Sequence, residues 1–131
     1  MHDSFNIEYH RHHLRVVLAR NFQVTLEASK KLHQAAATAA KQTGLQRVLI
    51  EGDAPQCRMD TMEVLALGET TANLLRGINT AYCLRDYATG HLTTFFDNVV
   101  HNRGGRIGFF DDATPAKAWL GINEQQEQRS A

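Results

Sequence analysis

The chain predicts an α/β fold in which an N-terminal β-hairpin joins a mainly parallel sheet. Two short segments with alternating apolar residues come first, and helical segments then alternate with short apolar runs. Such alternation favours parallel strands linked by right-handed crossovers. We therefore expect one domain over residues 1–121, ordered β-β-α-β-α-β-α-β-α, with four to five strands and about four helices. Residues 122–131 are polar and predict a flexible tail.

The predicted hairpin occupies the first nineteen residues. Phe5, Ile7 and Tyr9 alternate with polar residues, which is the pattern of a half-buried strand. Residues 14–19 are apolar on both faces, so this second strand should lie inside the sheet. The link of residues 11–13 is short enough to make the two strands antiparallel.

A helix and a buried strand follow the hairpin. Thr25 suits the helix N-cap and Gly44 the residue after its C-terminus. The apolar run at residues 47–50 is typical of a parallel strand covered on both faces. The predicted buried stripe of the helix consists of Ser29, Leu32, Ala36, Ala39 and Ala40.

The second helix is predicted to begin with a capping box. Asp60 and Glu63 have the spacing in which each side chain accepts a hydrogen bond from the other's backbone N–H. The helix should continue to about Leu75, and Ile78 to Leu84 should form the next strand. Its predicted inner face consists of Val64, Leu65, Gly68, Ala72 and Leu75.

The last third of the chain contains an amphipathic helix, a short strand and a final helix. Gly104 follows the first helix at a position that favours a positive φ. Thr114 and Pro115 predict the start of the final helix, and Gly121 its end. The predicted buried face of the amphipathic helix consists of Leu92, Phe95, Phe96, Val99 and Val100.

Charge and composition restrict the classes of partner. The chain has 14 basic and 14 acidic residues, so it has no net field that would attract nucleic acid or an anionic membrane. No apolar run approaches the ~18 residues of a membrane span, so stable membrane insertion is not expected. Cys57 and Cys83 are too few for a disulfide framework. We expect a cytoplasmic protein.

The order of elements and two stretches of sequence resemble a known family. These stretches are the strand, loop and capped helix of residues 47–69, and the ending from Asn102-Arg103-Gly104-Gly105 through Ala118-Trp119-Leu120. Over residues 5–121 the chain is similar to STAS and anti-sigma-factor-antagonist-like domains, in particular to their small stand-alone bacterial branch. The resemblance implies a non-enzymatic regulatory or protein-interaction module.

The resemblance also implies a weak phosphorylation site. In the founding regulators an Asp-Ser-Ser-Gly motif opens the second helix, and a partner kinase phosphorylates one serine. The matching stretch is Asp60-Thr61-Met62-Glu63, where only Asp60 matches and Thr61 supplies a hydroxyl group. A phosphate here would meet repulsion from two carboxylates, so a helix cap is the favoured interpretation.

Loops 51–59 and 85–90 should meet at the carboxyl ends of parallel strands, where α/β folds bind ligands. Common phosphate-binding, zinc-protease and serine-hydrolase motifs are absent from the sequence. We therefore expect no catalytic residue and no cofactor, although an enzyme of another type stays open. The candidate partner or ligand surface consists of Asp53, Cys57, Asp60, Thr61, Tyr87 and His91.

Two residue groups have a chemical and a structural interpretation. His10 and His12 could bind a transition metal weakly, or they are exposed turn histidines. Cys57 precedes a helix N-terminus, which can activate a thiol, but the sequence supplies no partner base. The structural interpretation is favoured for both groups.

A carrier or sensor of a small apolar ligand is the alternative function. STAS-like folds resemble Sec14-type lipid-binding domains, and an apolar cavity would need large apolar side chains. The same phenylalanines would serve equally well in an ordinary core. A protein partner or a homodimer is also expected for a small sheet with an exposed face. The candidate cavity residues are Met59, Met62, Tyr87, Phe95 and Phe96.

Overall fold

The computed structural model describes residues 4–53, 57–85 and 90–122. Its elements follow the predicted order, so the predicted α/β class is confirmed. The strands are β1 (Phe5–Tyr9), β2 (Leu14–Leu18), β3 (Arg47–Asp53), β4 (Asn79–Arg85) and β5 (Arg106–Phe110). The helices are α1 (Leu26–Thr43), α2 (Thr61–Leu74), α3 (His91–Asn102) and α4 (Ala113–Leu120).

The five strands form one mixed sheet in the order β1-β2-β3-β4-β5. β1 and β2 are the predicted antiparallel hairpin, and its turn is closed by the His10 N–H, which donates to the His13 carbonyl at 3.0 Å. Every later strand is parallel to its predecessor because a helix carries the chain back across the sheet.

The sheet separates two hydrophobic clusters. Val48, Ile50 and Tyr82 face the main core, which also contains residues of α1, α2 and α3. Leu49 and Ala81 alternate with these residues and face α4 on the other side. This period-two alternation places three helices on one face of the sheet and one on the other.

The predicted caps of α1 and α2 are confirmed. The Ala28 N–H donates to Thr25 Oγ1 at 3.1 Å, and Gly44 ends α1 with a φ of 76°. At α2, the Glu63 N–H donates to Asp60 Oδ1 at 2.9 Å, and the Asp60 N–H donates to Glu63 Oε1 at 3.1 Å. These bonds satisfy backbone donors that a helix N-terminus leaves free.

The predicted start of α4 is wrong. The helix begins at Ala113, with Asp112 at the N-cap position and no side-chain cap, rather than after Thr114. Pro115 lies in the first turn of α4. Backbone N–H groups in a first turn have no carbonyl acceptor within the helix, so proline, which lacks this N–H, costs no hydrogen bond there. Proline is therefore compatible with this register, and the sequence signal was misplaced by two residues.

The buried face of α2 is wider than predicted. Leu67 and Thr71 are buried, whereas Leu65 is only half-buried. The cause is that α2 contacts both α1 and α3, so neighbours cover it on two sides. The approach to α3 is close at Gly68, where an added Cβ would lie 2.6 Å from Val99 Cγ1.

The final helix is attached by a long-range hydrogen bond. Arg47 Nε donates to the Leu120 carbonyl at 2.8 Å, and Gly121 ends the helix with a φ of 76°. Ile122, the first residue of the predicted tail, packs on the α4 cluster, and residues 123–131 lie outside the described part of the chain. Within the described ranges, no helix combines the length and apolarity needed to cross a bilayer.

Candidate functional site

A cavity of about 290 Å³ lies between the sheet and the first turns of α1, α2 and α3. Its inner wall is mostly apolar and is formed by side chains from all three helices and from four parallel strands, β2 to β5. Half-buried or exposed side chains border it on the outer side, namely Cys57, Met59, Leu84, Leu92 and Thr93. Apolar residues of the inner wall include Leu18, Phe22, Leu32, Ile50, Val64 and Leu67.

The parallel strands explain the location of this cavity. Leu18, Leu84 and Phe109 lie at or next to the carboxyl ends of β2, β4 and β5, the side of the sheet where the following helices begin. Ile50 and Tyr82, from the middle of β3 and β4, also line the cavity. The N-terminal halves of α1, α2 and α3 supply lining residues on this side, and the cavity is the space left between them and the strands. Ligands of α/β folds bind at this edge as a general rule.

A buried polar chain of three residues includes His33 and Tyr82 from the cavity lining and Thr71, which is not part of the described lining. His33 Nε2 lies 2.6 Å from Tyr82 Oη, and His33 Nδ1 lies 3.1 Å from Thr71 Oγ1. The two hydrogen bonds join α1 to β4 and to α2. They occupy both ring nitrogens of His33, as a buried imidazole requires.

Burial determines the protonation state of this chain. Desolvation lowers the pKa of His33 from 6.5 to about 4, so the imidazole is neutral near pH 7. Desolvation also raises the pKa of the Tyr82 phenol far above its ordinary value. At neutral pH the cavity wall therefore has hydrogen-bonding groups without a charge.

Aromatic rings stiffen the same wall. The Tyr82 and Phe109 rings stack with their centroids 4.6 Å apart, and Phe96 meets Tyr82 edge-on at 6.3 Å. The His33 ring stacks against Phe96 at 6.4 Å. Such contacts fix ring orientation and so hold the Tyr82 hydroxyl against His33.

Ser29 supplies a further polar group to the cavity. Its side chain lines the cavity and is 3% exposed, one helical turn before His33 on α1. Within the described part of the chain, no hydrogen bond joins the Ser29 hydroxyl to another group. Its oxygen is not among the fully buried side-chain atoms that lack a partner, so it is accessible from the cavity and can bond there to water or to a ligand.

Charge is absent from the described lining of the cavity. No lysine, arginine, aspartate or glutamate is among the described residues that line it. Arg58 lies between two lining residues but is exposed. An apolar space with a few neutral polar groups is suited to binding a small organic molecule.

The sequence-predicted site residues are not all brought together. Cys57 borders the cavity, whereas Asp60 is part of the capping box. Thr61 and His91 are exposed at the first positions of α2 and α3. Tyr87 lies outside the described residues.

Asp53 lies in a different, more open groove of about 410 Å³ on the α4 side of the sheet. Its carboxylate pairs with Arg85 at 3.0 Å, and the neighbouring Glu51 pairs with Arg15 at 2.6 Å. The Arg15 guanidinium also donates a hydrogen bond to Glu8, and this bond lowers the pKa of the Glu8 carboxyl. These carboxylates thus have partners already within the protein.

The histidines of the hairpin contact their neighbours. His10 Nε2 lies 3.3 Å from Glu8 Oε1, and the His10 ring stacks on buried His13 with centroids 4.7 Å apart. His12 is half-buried. In residues 4–53, 57–85 and 90–122, no group of three or more His, Cys, Asp or Glu side chains is placed to hold a metal ion.

Sequence reasoning selected part of the cavity and missed its polar chain. Of the five predicted cavity residues, Met59 and Phe96 line it, whereas Met62 is 71% exposed. His33 was missed although it follows Ser29 by four residues, on the buried stripe of α1. A histidine on an otherwise apolar helix face was the available signal.

Together, the fold and the cavity define an α/β domain with a partly open, mostly apolar site, and no charged side chain is among the described residues that line it. Neither a family model nor a curated protein matches this chain.

Proposed function

We propose that this protein binds a small apolar molecule in the interior cavity, as a carrier or a sensor. The observation that carries the proposal is the cavity of about 290 Å³ beside the neutral His33–Tyr82 pair. Cavities of this size approach the range that holds small organic ligands, about 300–1,000 Å³. The similarity to Sec14-type domains that the STAS-like resemblance implies supports the same proposal.

The energetics favour an occupied cavity. A tightly packed core leaves few voids larger than a water molecule. Apolar walls such as Leu32, Ile50 and Leu67 give a water molecule few hydrogen bonds, while an apolar ligand restores the missing dispersion contacts. Binding would therefore stabilise the fold by RT ln(1 + L/Kd), an amount that increases with L, the concentration of free ligand.

A neutral fluorescent probe tests this proposal. N-phenyl-1-naphthylamine should bind saturably to the purified chain, and native mass spectrometry of gently purified protein should show a retained small molecule. Leu92→Phe places a larger side chain at the outer border of the cavity and should weaken probe binding at least about tenfold.

A matched substitution controls for nonspecific effects. Leu74 is also a half-buried leucine packed on the main core, but it lies in the last turn of α2, away from the cavity. Leu74→Phe should leave probe binding unchanged. If the probe binds saturably and Leu92→Phe does not weaken it, the probe binds outside the cavity. If the probe does not bind at all, the proposed function is refuted.

A regulatory protein-interaction module is the second proposal. Met62 and Thr61 are exposed at the start of α2, where the resemblance predicts a partner surface. An exposed methionine is a common feature of adaptable protein contacts. Substitution Met62→Glu should abolish capture of a specific partner, whereas Asn98→Glu, at an exposed position of α3, should not. Recovery of no partner would refute this proposal.

A further inference from the structure

We propose that the cavity selects an uncharged ligand whose apolar body has one oxygen-containing group, an alcohol or a phenol, held by Ser29. This inference rests on the proposed function, because it assigns the chemical class of the molecule that the cavity binds. It is carried by the Ser29 hydroxyl, which faces the cavity, and by the lack of charged side chains among the described residues that line the site.

Ser29 provides the anchoring group. Ser29 is 3% exposed and lines the cavity, and its hydroxyl has no hydrogen-bond partner among the described residues. The hydroxyl oxygen is not fully buried, so a molecule in the cavity can reach it. A hydroxyl can donate one hydrogen bond and accept others, so it matches an alcohol or phenol in either direction. A ligand without any polar group would leave the Ser29 hydroxyl unsatisfied.

His33 and Tyr82 adapt to the same kind of ligand. A neutral imidazole has one donor and one acceptor nitrogen, and Thr71 and Tyr82 each bring a hydroxyl that can serve in either role. When His33 Nε2 donates, the Tyr82 O–H is available to donate elsewhere. When His33 Nε2 accepts, the Tyr82 oxygen is available as an acceptor. Both arrangements are compatible with a hydroxyl ligand.

Ionised ligands are excluded by their desolvation cost. A carboxylate or ammonium group moved into an apolar site needs an opposite charge or several strong hydrogen bonds. The described lining contains no charged side chain, and His33 is neutral near pH 7 because burial lowers its pKa. Arg58 is the nearest candidate in sequence to compensate a carboxylate, so its contribution needs a direct test.

Three probes of one size distinguish the ligand classes. Naphthalene, 1-naphthol and 1-naphthoate are titrated at neutral pH against the complex of the full chain with N-phenyl-1-naphthylamine. We expect 1-naphthol to displace the probe with the highest affinity. The ionised 1-naphthoate should bind at least about tenfold more weakly.

Variants then assign the selectivity to residues. Ser29→Ala should reduce the affinity for 1-naphthol about five- to tenfold, which is the loss of one hydrogen bond, and leave naphthalene unchanged. Thr38→Ala is the control, because Thr38 is exposed on the same helix. Leu92→Phe should weaken all three probes.

The outcomes separate this inference from the proposed function. If 1-naphthoate binds as tightly as 1-naphthol, the proposed preference for an uncharged ligand is wrong, while the proposed binding function stands. If Arg58→Gln then loses the affinity for 1-naphthoate, the ligand is assigned as anionic. If Ser29→Ala leaves 1-naphthol unchanged, the anchoring role of Ser29 is wrong. If neither the fluorescent probe nor any naphthalene compound binds, the proposed function fails and this inference fails with it.

Discussion

His33 Nε2 and Tyr82 Oη lie 2.6 Å apart, although 49 residues separate them in the chain. The contact joins the first helix to the fourth strand at the wall of the cavity. It is buried, and a second bond from His33 to Thr71 extends it to α2. The same three residues thus connect the packing of the domain to the site that we propose for ligand binding.

Removal of the Tyr82 hydroxyl should destabilise the protein. Tyr82→Phe keeps the ring but leaves His33 Nε2 buried without its partner, which costs about 1–3 kcal/mol. Chemical denaturation measures the loss. The control is Tyr9→Phe, because Tyr9 is 60% exposed, and its effect should stay within about 0.5 kcal/mol. Equal effects of the two substitutions would contradict the importance of the buried bond.

The free energy of unfolding should fall as the pH is lowered from 6.5 towards 4. The folded-state pKa of His33 is about 4, below its ordinary value of 6.5, so the unfolded chain binds more protons in this window. The contribution of neutral His33 to the free energy of unfolding is complete above pH 6.5. It is lost as the pH falls towards 4, and the total loss is up to about 3 kcal/mol.

Resonances of the His33 ring, followed by NMR, check this pH dependence directly. His91 is the internal reference, since it is exposed at the start of α3. A His33 midpoint near that of an exposed histidine would mean that the imidazole is not buried in the neutral form.

Gly68→Ala should destabilise the contact between α2 and α3. The new Cβ would lie 2.6 Å from Val99 Cγ1 and 2.9 Å from Val99 Cβ, close to the backbone of α3, so the helices must move apart. Overpacking of this kind costs about 1–3 kcal/mol, which exceeds the gain of up to about 1 kcal/mol in helix propensity. A lower midpoint of thermal unfolding is expected, and a higher one would show that the interface yields freely.

Loss of the capping box should cost about 1 kcal/mol. Asp60→Ala removes the carboxylate that accepts from the Glu63 N–H, so this backbone donor in the first turn of α2 loses its partner. Thr61→Ala in the same turn is the control, because Thr61 is exposed and no hydrogen bond of its side chain contributes to the cap. Urea denaturation of both variants gives the comparison, and equal stabilities would argue that water replaces the cap.

The local signals along the chain were strong enough to predict most of the fold. Thr25 and Gly44 bound the first helix, and Asp60 with Glu63 begins the second, because capping depends on residues a few positions apart. The start of α4 was misplaced because a proline is compatible with more than one position in a first helical turn. The buried side of α2 was underestimated because it depends on two neighbouring helices.

The candidate site was only partly accessible to such reasoning. Its edge of the sheet followed from the parallel topology, but the buried chain of His33, Tyr82 and Thr71 did not. A histidine on an apolar helix face can fill space or bind a ligand, and only its partners distinguish these roles. Those partners come from β4 and α2, far away in the sequence.

The sequence by itself determined the elements, their order and the caps of α1 and α2, since these depend on periodicity and on contacts within a few residues. Tertiary structure decided where a space remains between the helices and the sheet, and which polar groups line it. The physical reason is that a cavity is the space that several packed elements together leave unfilled. No segment encodes that space alone, whereas each helix and strand is encoded by its own residues.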